Sequence, residues 1–297
     1  MRPKLLKTLS ILALAAPALA AAQTTSTLDK VKASGQITLA YRESSIPFSY
    51  LDDKAQPIGF GFEICQKIVD EVKKATGRAD LKVNLQAVTS ANRIPLLQNG
   101  TIDIECGSTT NNSDRGKQVQ FATNYFYTGT KFLVKAGTQI KSLDDLKGKT
   151  IVSTTGTTNY KILRTLNEEK KLGIELLGAK DHSESALMVE MGRAVAFGMD
   201  DILLYGLRAS SQSPATLAVV GEPIQVEPYA IMLRREDPGF KKLVDDTLAG
   251  LMKSGEFTKL YTKWFQSPIP PKGINLNAPM SQELIDNLKT LSDKPAT

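Results

Sequence analysis

Residues that commonly bind metals are scarce in this sequence. Its 297 residues include one histidine and two cysteines, and His182, Cys65 and Cys106 do not cluster along the chain. A structural zinc site needs four such ligands at short spacings, so we expect no metal site. In an oxidising compartment the two cysteines permit one disulfide. Two buried thiols are the alternative, and spacing alone does not choose between them.

Long apolar runs are also missing. After residue 22, no stretch approaches the roughly 20 apolar residues that a membrane-spanning helix needs. There is no basic run interleaved with aromatic residues either, so we do not expect nucleic acid as a partner. The hydrophobic content of 41% is ordinary for a globular protein, which predicts a packed core.

The first residues have the pattern of a secretory signal peptide. Basic residues precede a short apolar run, Leu9–Leu19, and Ala18–Ala20 is a small-x-small cleavage signal. The run is too short to span a membrane. We therefore predict that residues 1–22 are a signal peptide and that the mature protein lies in the periplasm. Removing this segment deletes three positive charges and no negative one, so the formal net charge falls from +6 to +3.

Strand and helix patterns alternate through most of the mature chain. Period-two alternation predicts strands at Gln36–Tyr41 and Leu81–Leu85, and helical spacing predicts a helix at Gly61–Ala75. The rhythm repeats from Lys149 to Val220. Strands that alternate with helices indicate parallel sheets, and two such blocks predict two α/β lobes. We place the join near Tyr127–Val134.

The last third of the chain has a different pattern. A strand is predicted at Tyr229–Leu233, and Pro238–Phe265 forms one long amphipathic stretch that ends before Pro268. If this stretch packs on the first lobe, the chain crosses between the lobes twice. A ligand would then lie in the cleft, at the carboxyl ends of the strands. The tail after Pro271 is polar, and we expect it to be loosely attached.

Polar residues follow several predicted strands or precede helices, on what the topology makes the cleft side. Taken singly, an arginine there is usually solvated and a serine or threonine usually caps a helix. Their convergence on one cleft carries the hypothesis of a binding site. The candidate residues are Arg42, Ser90, Arg93, Ser108, Thr110, Arg115, Thr155, Thr158, His182 and Asp200.

Several stretches resemble one known family. The chain is similar to the family-3 solute-binding proteins of ABC transporters, and within them to the members that bind glutamate and aspartate. The stretches that carry this resemblance are 40–50, 93–100, 105–112 and 192–197, with Trp264-Phe265 ahead of Pro268–Pro271. The run Glu-Cys-Gly-Ser-Thr-Thr-Asn-Asn at 105–112 is the most specific of them, and the resemblance covers essentially the whole mature chain.

The resemblance implies a periplasmic-binding-protein fold of type II that closes on its ligand, with a mostly parallel sheet and flanking helices in each lobe. Lobe 1 would comprise residues 23–129 plus 230–270, lobe 2 would comprise residues 130–229, and residues 271–297 would form a tail. The implied partners are L-glutamate or L-aspartate and a permease in the inner membrane. No cofactor and no catalytic activity are expected, and we expect a monomer.

The resemblance also assigns roles in the cleft. Arg115, Thr110 and Thr158 match positions that bind the α-carboxylate of the ligand, Asp200 and Ser108 match those for the α-ammonium, and Arg42, Ser90, Arg93 and His182 match those around the side-chain carboxylate. Thr155 either contacts the ligand or only shapes the turn.

Counting charges supports the same ligand. Any α-amino acid needs one cation and one anion, which Arg115 and Asp200 supply. Arg42 and Arg93 are then two further cations, which make sense if a second carboxylate is held, because a guanidinium donates two parallel hydrogen bonds to a carboxylate. The alternatives are a binding protein for glutamine or for a dicarboxylate without an amine, and a periplasmic dehydratase or lyase on the same scaffold. An enzyme would need a positioned acid or base, for which Glu43, Glu105 and His182 are candidates.

Overall fold

The computed structural model describes residues 26–296, so the predicted signal peptide lies outside the described residues. Ten α-helices are described in this range: α1 Thr27–Ser34, α2 Phe60–Thr76, α3 Arg93–Gln98, α4 Ser113–Gly116, α5 Thr158–Glu169, α6 His182–Glu190, α7 Asp201–Ser210, α8 Pro238–Ser254, α9 Glu256–Phe265 and α10 Gln282–Thr290. Within the same range, no helix is long and apolar enough to cross a membrane.

The strands of the described range are β1 Gln36–Tyr41, β2 Ser44–Ser45, β3 Ser49–Leu51, β4 Pro57–Ile58, β5 Lys82–Ala87, β6 Ile104–Glu105, β7 Gln120–Lys135, β8 Thr150–Thr154, β9 Glu175–Ala179, β10 Ala196–Asp200, β11 Leu217–Val220 and β12 Val226–Leu233. Two short 3₁₀ helices, Asp144–Leu146 and Pro214–Thr216, lie between them. Strands β2, β3 and β4 form a small separate sheet.

The main sheet consists of two parallel blocks that meet at an antiparallel centre. Its strand order is β5-β1-β6-β12-β7-β10-β8-β9, and β11 also pairs with β7. Strand β1 runs parallel to β5 and β6, and β8 runs parallel to β9 and β10. Strand β12 is antiparallel to β6 and β7, and β10 is antiparallel to β7. These parallel blocks are the two predicted from the alternating patterns, and they share one continuous ladder of strands.

Two strands cross between the blocks. Strand β7 is 16 residues long and buried along nearly its whole length. It pairs with β12 from Val226 opposite Gly129 to Leu233 opposite Gln120, with register shifts near Tyr229 and Ala230. The register shifts mark a local break in the regular ladder between the two blocks.

The apolar residues of helix α2 pack as their spacing in the sequence predicts. Ile64, Ile68 and Val72 recur every four residues and are fully buried, so one face of the helix lies against the sheet. The helix ends at Gly77, which has a φ of 66°. Cys65 on the buried face forms a disulfide with Cys106, with 5.8 Å between the Cα atoms. The structure therefore decides the question that spacing left open.

An aromatic cluster packs the end of the chain's long helical segment against the first block. The ring of Phe265 in α9 lies 5.1 Å from the ring of Phe60 in α2 and 5.1 Å from that of Phe126 in β7. Phe48, in the loop between β2 and β3, contacts Phe265 edge to face at 5.4 Å. Such pairs contribute about 0.5–1.5 kcal/mol each beyond their buried area.

The amphipathic stretch Pro238–Phe265 consists of two helices, because Gly255 has a φ of 80° and separates α8 from α9. Glycine adopts this left-handed conformation without steric cost, so the helical pattern continues while the backbone turns.

The tail after Pro271 is not loosely attached. Leu284 in α10 is buried, and Asn287 donates from Nδ2 to the backbone oxygen of Asn124 at 2.7 Å. The amide of Asn124 donates to the oxygen of Ser292 at 3.0 Å, and that of Ala296 donates to the oxygen of Asn111 at 2.9 Å. The tail is anchored both by these hydrogen bonds to backbone groups and by apolar side chains such as Leu284 and Leu288 that pack on the core.

Candidate functional site

The carboxyl ends of the parallel strands bring the predicted site residues together. Arg42 follows β1, Asp200 ends β10, and Thr158 begins α5 after β8. A small, tightly closed cavity lies where these ends meet, between the two blocks of the sheet. It is lined by Ser90, Arg93, Ser108, Thr110, Arg115, Thr157, Thr158, Asn159, His182, Met199 and Asp200.

Eight of the ten predicted residues line this cavity, and two do not. Arg42 lies directly behind it, because its Nη2 donates to Ser90 Oγ at 3.0 Å and lies 3.3 Å from His182 Nε2. Thr155 points elsewhere: its amide and its hydroxyl both donate to the backbone oxygen of Ala179, at 2.9 and 3.1 Å. This placement fits the alternative in which Thr155 shapes the turn.

The cleft around the cavity is closed. Gly156, in the turn between β8 and α5, lies so near Ala91 that a Cβ atom at position 156 would come within 2.5 Å of the Cα of Ala91. At the rim, Lys161 in α5 pairs with Asp114 in α4 at 2.6 Å. Residues from the first block therefore contact residues from the second on both sides of the cavity.

A chain of hydrogen bonds fixes the protonation of His182. Ser185 donates to the backbone oxygen of Asp181 at 2.9 Å, so its oxygen accepts from Thr154 Oγ1, 2.9 Å away. The hydroxyl of Thr154 is thereby used as a donor, and it accepts from His182 Nδ1, also at 2.9 Å. Nε2 is then the acceptor that faces Arg42.

His182 is therefore held neutral. Burial lowers the pKa of its imidazole well below the usual value, and the positive charges of Arg42 and Arg93 lower it further. A neutral imidazole with its proton on Nδ1 leaves Nε2 free to accept from a guanidinium, so the histidine orients Arg42 rather than repelling it.

The two arginines on this side have unpaired donors. Among the described residues, Nη1 of Arg42 and both Nε and Nη1 of Arg93 are buried without a hydrogen-bond partner. Glu105 is the nearest anion, with its Oε1 3.8 Å from Arg93 Nη1, which is beyond hydrogen-bond distance. Burial and repulsion by Arg93 lower the pKa of Arg42 to about 9. An anion at this position would accept hydrogen bonds from the unpaired N–H groups and would reduce the repulsion between Arg42 and Arg93.

Arg115 is held in a different way. Its Nη1 donates to the backbone oxygen of Thr110 at 2.9 Å, and its Nη2 donates to that of Gly156 at 3.1 Å. The guanidinium therefore bridges the two blocks through carbonyl groups. Burial, followed by repulsion from Arg93, lowers the pKa of Arg115 to about 10. Without a close carboxylate, its charge remains available to an anion.

Asp200 lies in an acidic part of the cavity. Its Oδ1 accepts from Asn159 Nδ2 at 2.8 Å, and its Oδ2 accepts from the hydroxyl of Tyr229. Burial raises the pKa of Asp200 well above its usual value, and the negative charge of Glu227 raises it further. A cation placed beside Asp200 would stabilise its ionised form, so the carboxylate is a suitable partner for an ammonium group.

Glu227 was missed by the sequence analysis. It is fully buried in β12, and its Oε2 accepts from Thr110 Oγ1 at 2.8 Å and from Thr158 Oγ1 at 2.7 Å. The strand predicted from the apolar run begins two residues later, at Tyr229. A lone acid between Val226 and Pro228 ahead of an apolar run was the available signal, but only the crossing of β12 beneath the cleft brings it to the site.

The expected charge balance of three arginines against one aspartate is therefore wrong. Glu105 and Glu227 are both fully buried beside the cavity, so the site has three guanidinium groups and three carboxyl groups. The preference of the site for one ligand over another must therefore come from the positions of these charges, because their numbers are equal. Arg42 and Arg93 form a basic end with unpaired donors, whereas Asp200 and Glu227 form an acidic end. Within residues 26–296, no group of three or more His, Cys, Asp or Glu side chains could hold a metal ion.

Known proteins resemble this chain in sequence and in fold. The profile of the bacterial extracellular solute-binding proteins, family 3, matches residues 37–267. The chain is 49% identical over 295 residues to the L-glutamate/L-aspartate-binding protein of Pseudomonas aeruginosa, which covers 99% of this chain and 98% of that one. It is 50% identical over 269 residues to a glutamate/aspartate import solute-binding protein of Salmonella typhimurium, covering 91% and 89% of the two chains.

A solved structure supports the fold. A mutant of the arginine-binding protein of T. maritima superposes with a TM-score of 0.72 at 24% identity, covering 80% of this chain and 99% of that one. At this identity the likeness concerns the fold alone. Together with the family match, it confirms the predicted two-lobe α/β architecture.

Proposed function

The chain belongs to the bacterial extracellular solute-binding proteins of family 3, and from that premise we propose that it captures L-glutamate or L-aspartate in the periplasm and delivers it to an ABC-transporter permease. We further propose that it does so as a monomer. Its relatives are named as binding and import proteins, which confirms the expectation that the chain is not an enzyme.

The observation that carries this proposal is the set of unpaired donors at the basic end of the cavity. Nη1 of Arg42 and Nε and Nη1 of Arg93 are buried and lack partners among the described residues. Buried guanidinium groups without hydrogen bonds are costly, and a carboxylate that accepts several N–H groups removes that cost. The side-chain carboxylate of an acidic amino acid supplies such a group, whereas the amide of glutamine supplies only a neutral oxygen.

The acidic end suits the ligand's amine. Asp200 has a raised pKa because of burial and of Glu227, and a bound ammonium group would stabilise its ionised form. A dicarboxylate without an amine would leave this carboxyl group without a cation. The separation of a basic end from an acidic end therefore favours an amino acid with a second carboxylate over both alternatives.

The roles that we propose follow this division. Arg42, Ser90, Arg93 and His182 surround the side-chain carboxylate, Arg115 holds the α-carboxylate with Thr110 and Thr158 beside it, and Asp200 and Ser108 hold the α-ammonium. The first turn of α5 adds backbone N–H groups that also favour an anion. Thr155 is left out of this set, because its hydroxyl donates to Ala179.

The lobes that close on the ligand are proposed to be residues 23–129 plus 230–270 and residues 130–229. The support is that β7 and β12 lie at the sheet centre and are the strands that cross between the blocks. A ligand bound by arginines of the first lobe and by His182 and Asp200 of the second would favour the closed form over the open one.

Calorimetric titration with L-glutamate, L-aspartate, L-glutamine and succinate tests the proposal. We expect both acidic amino acids to bind, and glutamine and succinate to bind roughly 100-fold more weakly or worse, because each leaves a buried charge unpaired. Glutamate and aspartate differ by one methylene, so they should differ by about 10- to 200-fold at most. Glutamine binding as tightly as glutamate would refute the proposal.

A further inference from the structure

An apolar contact joins the two proposed lobes outside the ligand cavity. Ile46, in the loop between β2 and β3, packs against Gly206 in α7. A Cβ atom added to Gly206 would lie 2.6 Å from the backbone oxygen of Ile46 and 2.9 Å from both its Cβ and its Cγ2 atom. The residues that line the cavity include neither of the two. The contact therefore brings the lobes together without reaching the ligand.

Glycine at position 206 is unfavourable for the helix itself. Gly206 is buried inside α7, and glycine is the poorest helix former after proline. Its φ is not positive, so the backbone of α7 does not require a glycine at this position. The close approach of Ile46 supplies the physical reason for a residue without a side chain.

The loop that carries Ile46 is held firmly by the first lobe. The backbone oxygens of Pro47 and Phe48 accept from the amides of Phe60 and Phe62 at the start of α2, at 2.8 and 3.1 Å. The ring of Phe48 is fully buried in the aromatic cluster described above. Because the loop cannot shift without breaking these contacts, Ile46 is a fixed apolar side chain that meets α7 when the lobes close.

We propose that Ile46 and Gly206 form an apolar closure contact that stabilises the closed form and raises the affinity for every ligand by the same factor. The inference rests on the proposed function, because it requires lobes that close on a ligand. Closure buries Ile46 against α7, and this burial is favourable whichever amino acid fills the cavity. A larger population of the closed form lowers the apparent dissociation constant in proportion. Selectivity is left to the charged groups of the cavity.

Gly206→Ala should act on the closed form alone. The atom nearest to the added carbon is a backbone oxygen of a firmly held loop, so closure would require a costly displacement. In the open form the alanine should favour α7, because it is a better helix former than glycine. We expect L-glutamate and L-aspartate to bind at least roughly ten-fold more weakly, by factors that agree within about two-fold. The urea midpoint of the ligand-free protein should stay the same or rise.

Gly250→Ala is the matched control for this variant. Gly250 also lies inside a helix, α8, but no atom lies within 4 Å of a carbon added there. The substitution should give the same gain in helix preference and no change in either affinity. Calorimetric titration and urea denaturation of both variants are the measurements.

Ile46→Ala tests the same contact from the other lobe by removing apolar atoms without adding bulk. We expect both ligands to bind roughly 3- to 30-fold more weakly, again by equal factors. When the two substitutions are combined, the loss should be smaller than the product of the single losses, because both act on one contact. Ile46→Ala alone tests the proposal even if Gly206→Ala does not fold.

The possible results are distinct. Glutamate binding by Gly206→Ala as tight as that by Gly250→Ala would overturn the inference, as would unequal losses for glutamate and aspartate or a double variant with fully multiplied losses. A lowered urea midpoint in both ligand-free single variants would assign the contact to folding and overturn the inference as well. Absence of glutamate and aspartate binding by the wild-type protein would instead overturn the proposed function, and the inference with it.

Discussion

Nη2 of Arg42 lies 3.3 Å from Nε2 of His182, and this contact joins the first block of the sheet to the second at the basic end of the cavity. It holds only if the imidazole is neutral with its proton on Nδ1, which the chain from Thr154 through Ser185 to the oxygen of Asp181 provides. The protonation of one histidine is thus linked to the orientation of a buried arginine.

This linkage predicts how pH changes stability. The pKa of His182 is lowered in the folded state by burial, Arg42 and Arg93, so below about pH 6.5 the unfolded chain binds a proton that the folded chain does not. The ligand-free protein should lose up to about 1.4 kcal/mol of unfolding free energy per pH unit between pH 6.5 and 5.

Urea denaturation at a series of pH values, with His182→Gln for comparison, measures this effect. The variant cannot titrate and should lack this part of the pH dependence. Asp200 contributes an opposite slope because its pKa is raised, but it does so in both proteins, so the difference between them isolates His182. Parallel curves for the two proteins would contradict the prediction.

Arg93→Met should separate binding from folding. The arginine is buried with two unpaired donors, so replacing it by an apolar side chain removes a poorly satisfied charge. We expect L-glutamate to bind roughly 100- to 1,000-fold more weakly, with a ligand-free melting temperature close to that of the wild type, because the end of the repulsion between Arg93 and Arg42 offsets the loss of the cation nearest to Glu105. Calorimetry and thermal denaturation check this, with the exposed Arg193→Met as control. A large loss of ligand-free stability would instead indicate that Arg93 serves the fold.

Gly156→Ala should prevent closure. A Cβ atom there would lie 2.5 Å from the Cα of Ala91 in the opposite lobe. The alanine side chain would therefore keep the two lobes from coming together. Gly148→Ala is the matched control, because Gly148 has a similar positive φ of 69° but no atom within 4 Å of the added carbon. We expect Gly156→Ala to lose at least ten-fold in affinity for glutamate and to show no compaction by small-angle scattering when glutamate is added. Gly148→Ala should behave like the wild type. Equal behaviour of the two variants would disprove this.

The ion pair between Asp114 and Lys161 should act as a weak, salt-sensitive latch. Lys161 and Lys117 both pair with Asp114, at 2.6 and 3.0 Å, and together they lower its pKa to about 2. Only Lys161 lies across the cleft. Lys161→Ala should weaken the binding of L-glutamate by at most roughly five-fold at low salt and by less at high salt. Lys117→Ala should not change the affinity. Equal effects of the two variants on affinity would exclude a latch.

Asn287→Ala should show that the tail stabilises the fold. Its Nδ2 donates to the oxygen of Asn124, and Asn124 and Asn111 accept and donate hydrogen bonds along the tail next to the loop that carries Thr110. We expect a loss of about 1–3 kcal/mol of unfolding free energy. Gln282→Ala, at an exposed position of the same helix, should change it by less than about 0.5 kcal/mol. Chemical denaturation of both variants is the measurement.

Local patterns predicted most of the fold correctly. Strand β1 and helix α2 lie within a residue of their predicted bounds, because apolar periodicity reports directly which face of an element is buried. Gly255 shows the limit of this approach. A helical pattern that continues on both sides of a glycine does not reveal that the backbone reverses its φ there.

The sequence by itself determined the alternation of strands and helices, the division into two blocks and the cluster of arginines after strand ends, since each of these depends on neighbouring residues. Only the tertiary structure decided which residues contact one another across the chain. The crossing of β12 placed Glu227 between Thr110 and Thr158, the fold joined Cys65 to Cys106, and the tail reached Asn111 and Asn124. These contacts join residues far apart in the chain, and the free energy of a buried polar group depends on its partner, which no local pattern encodes.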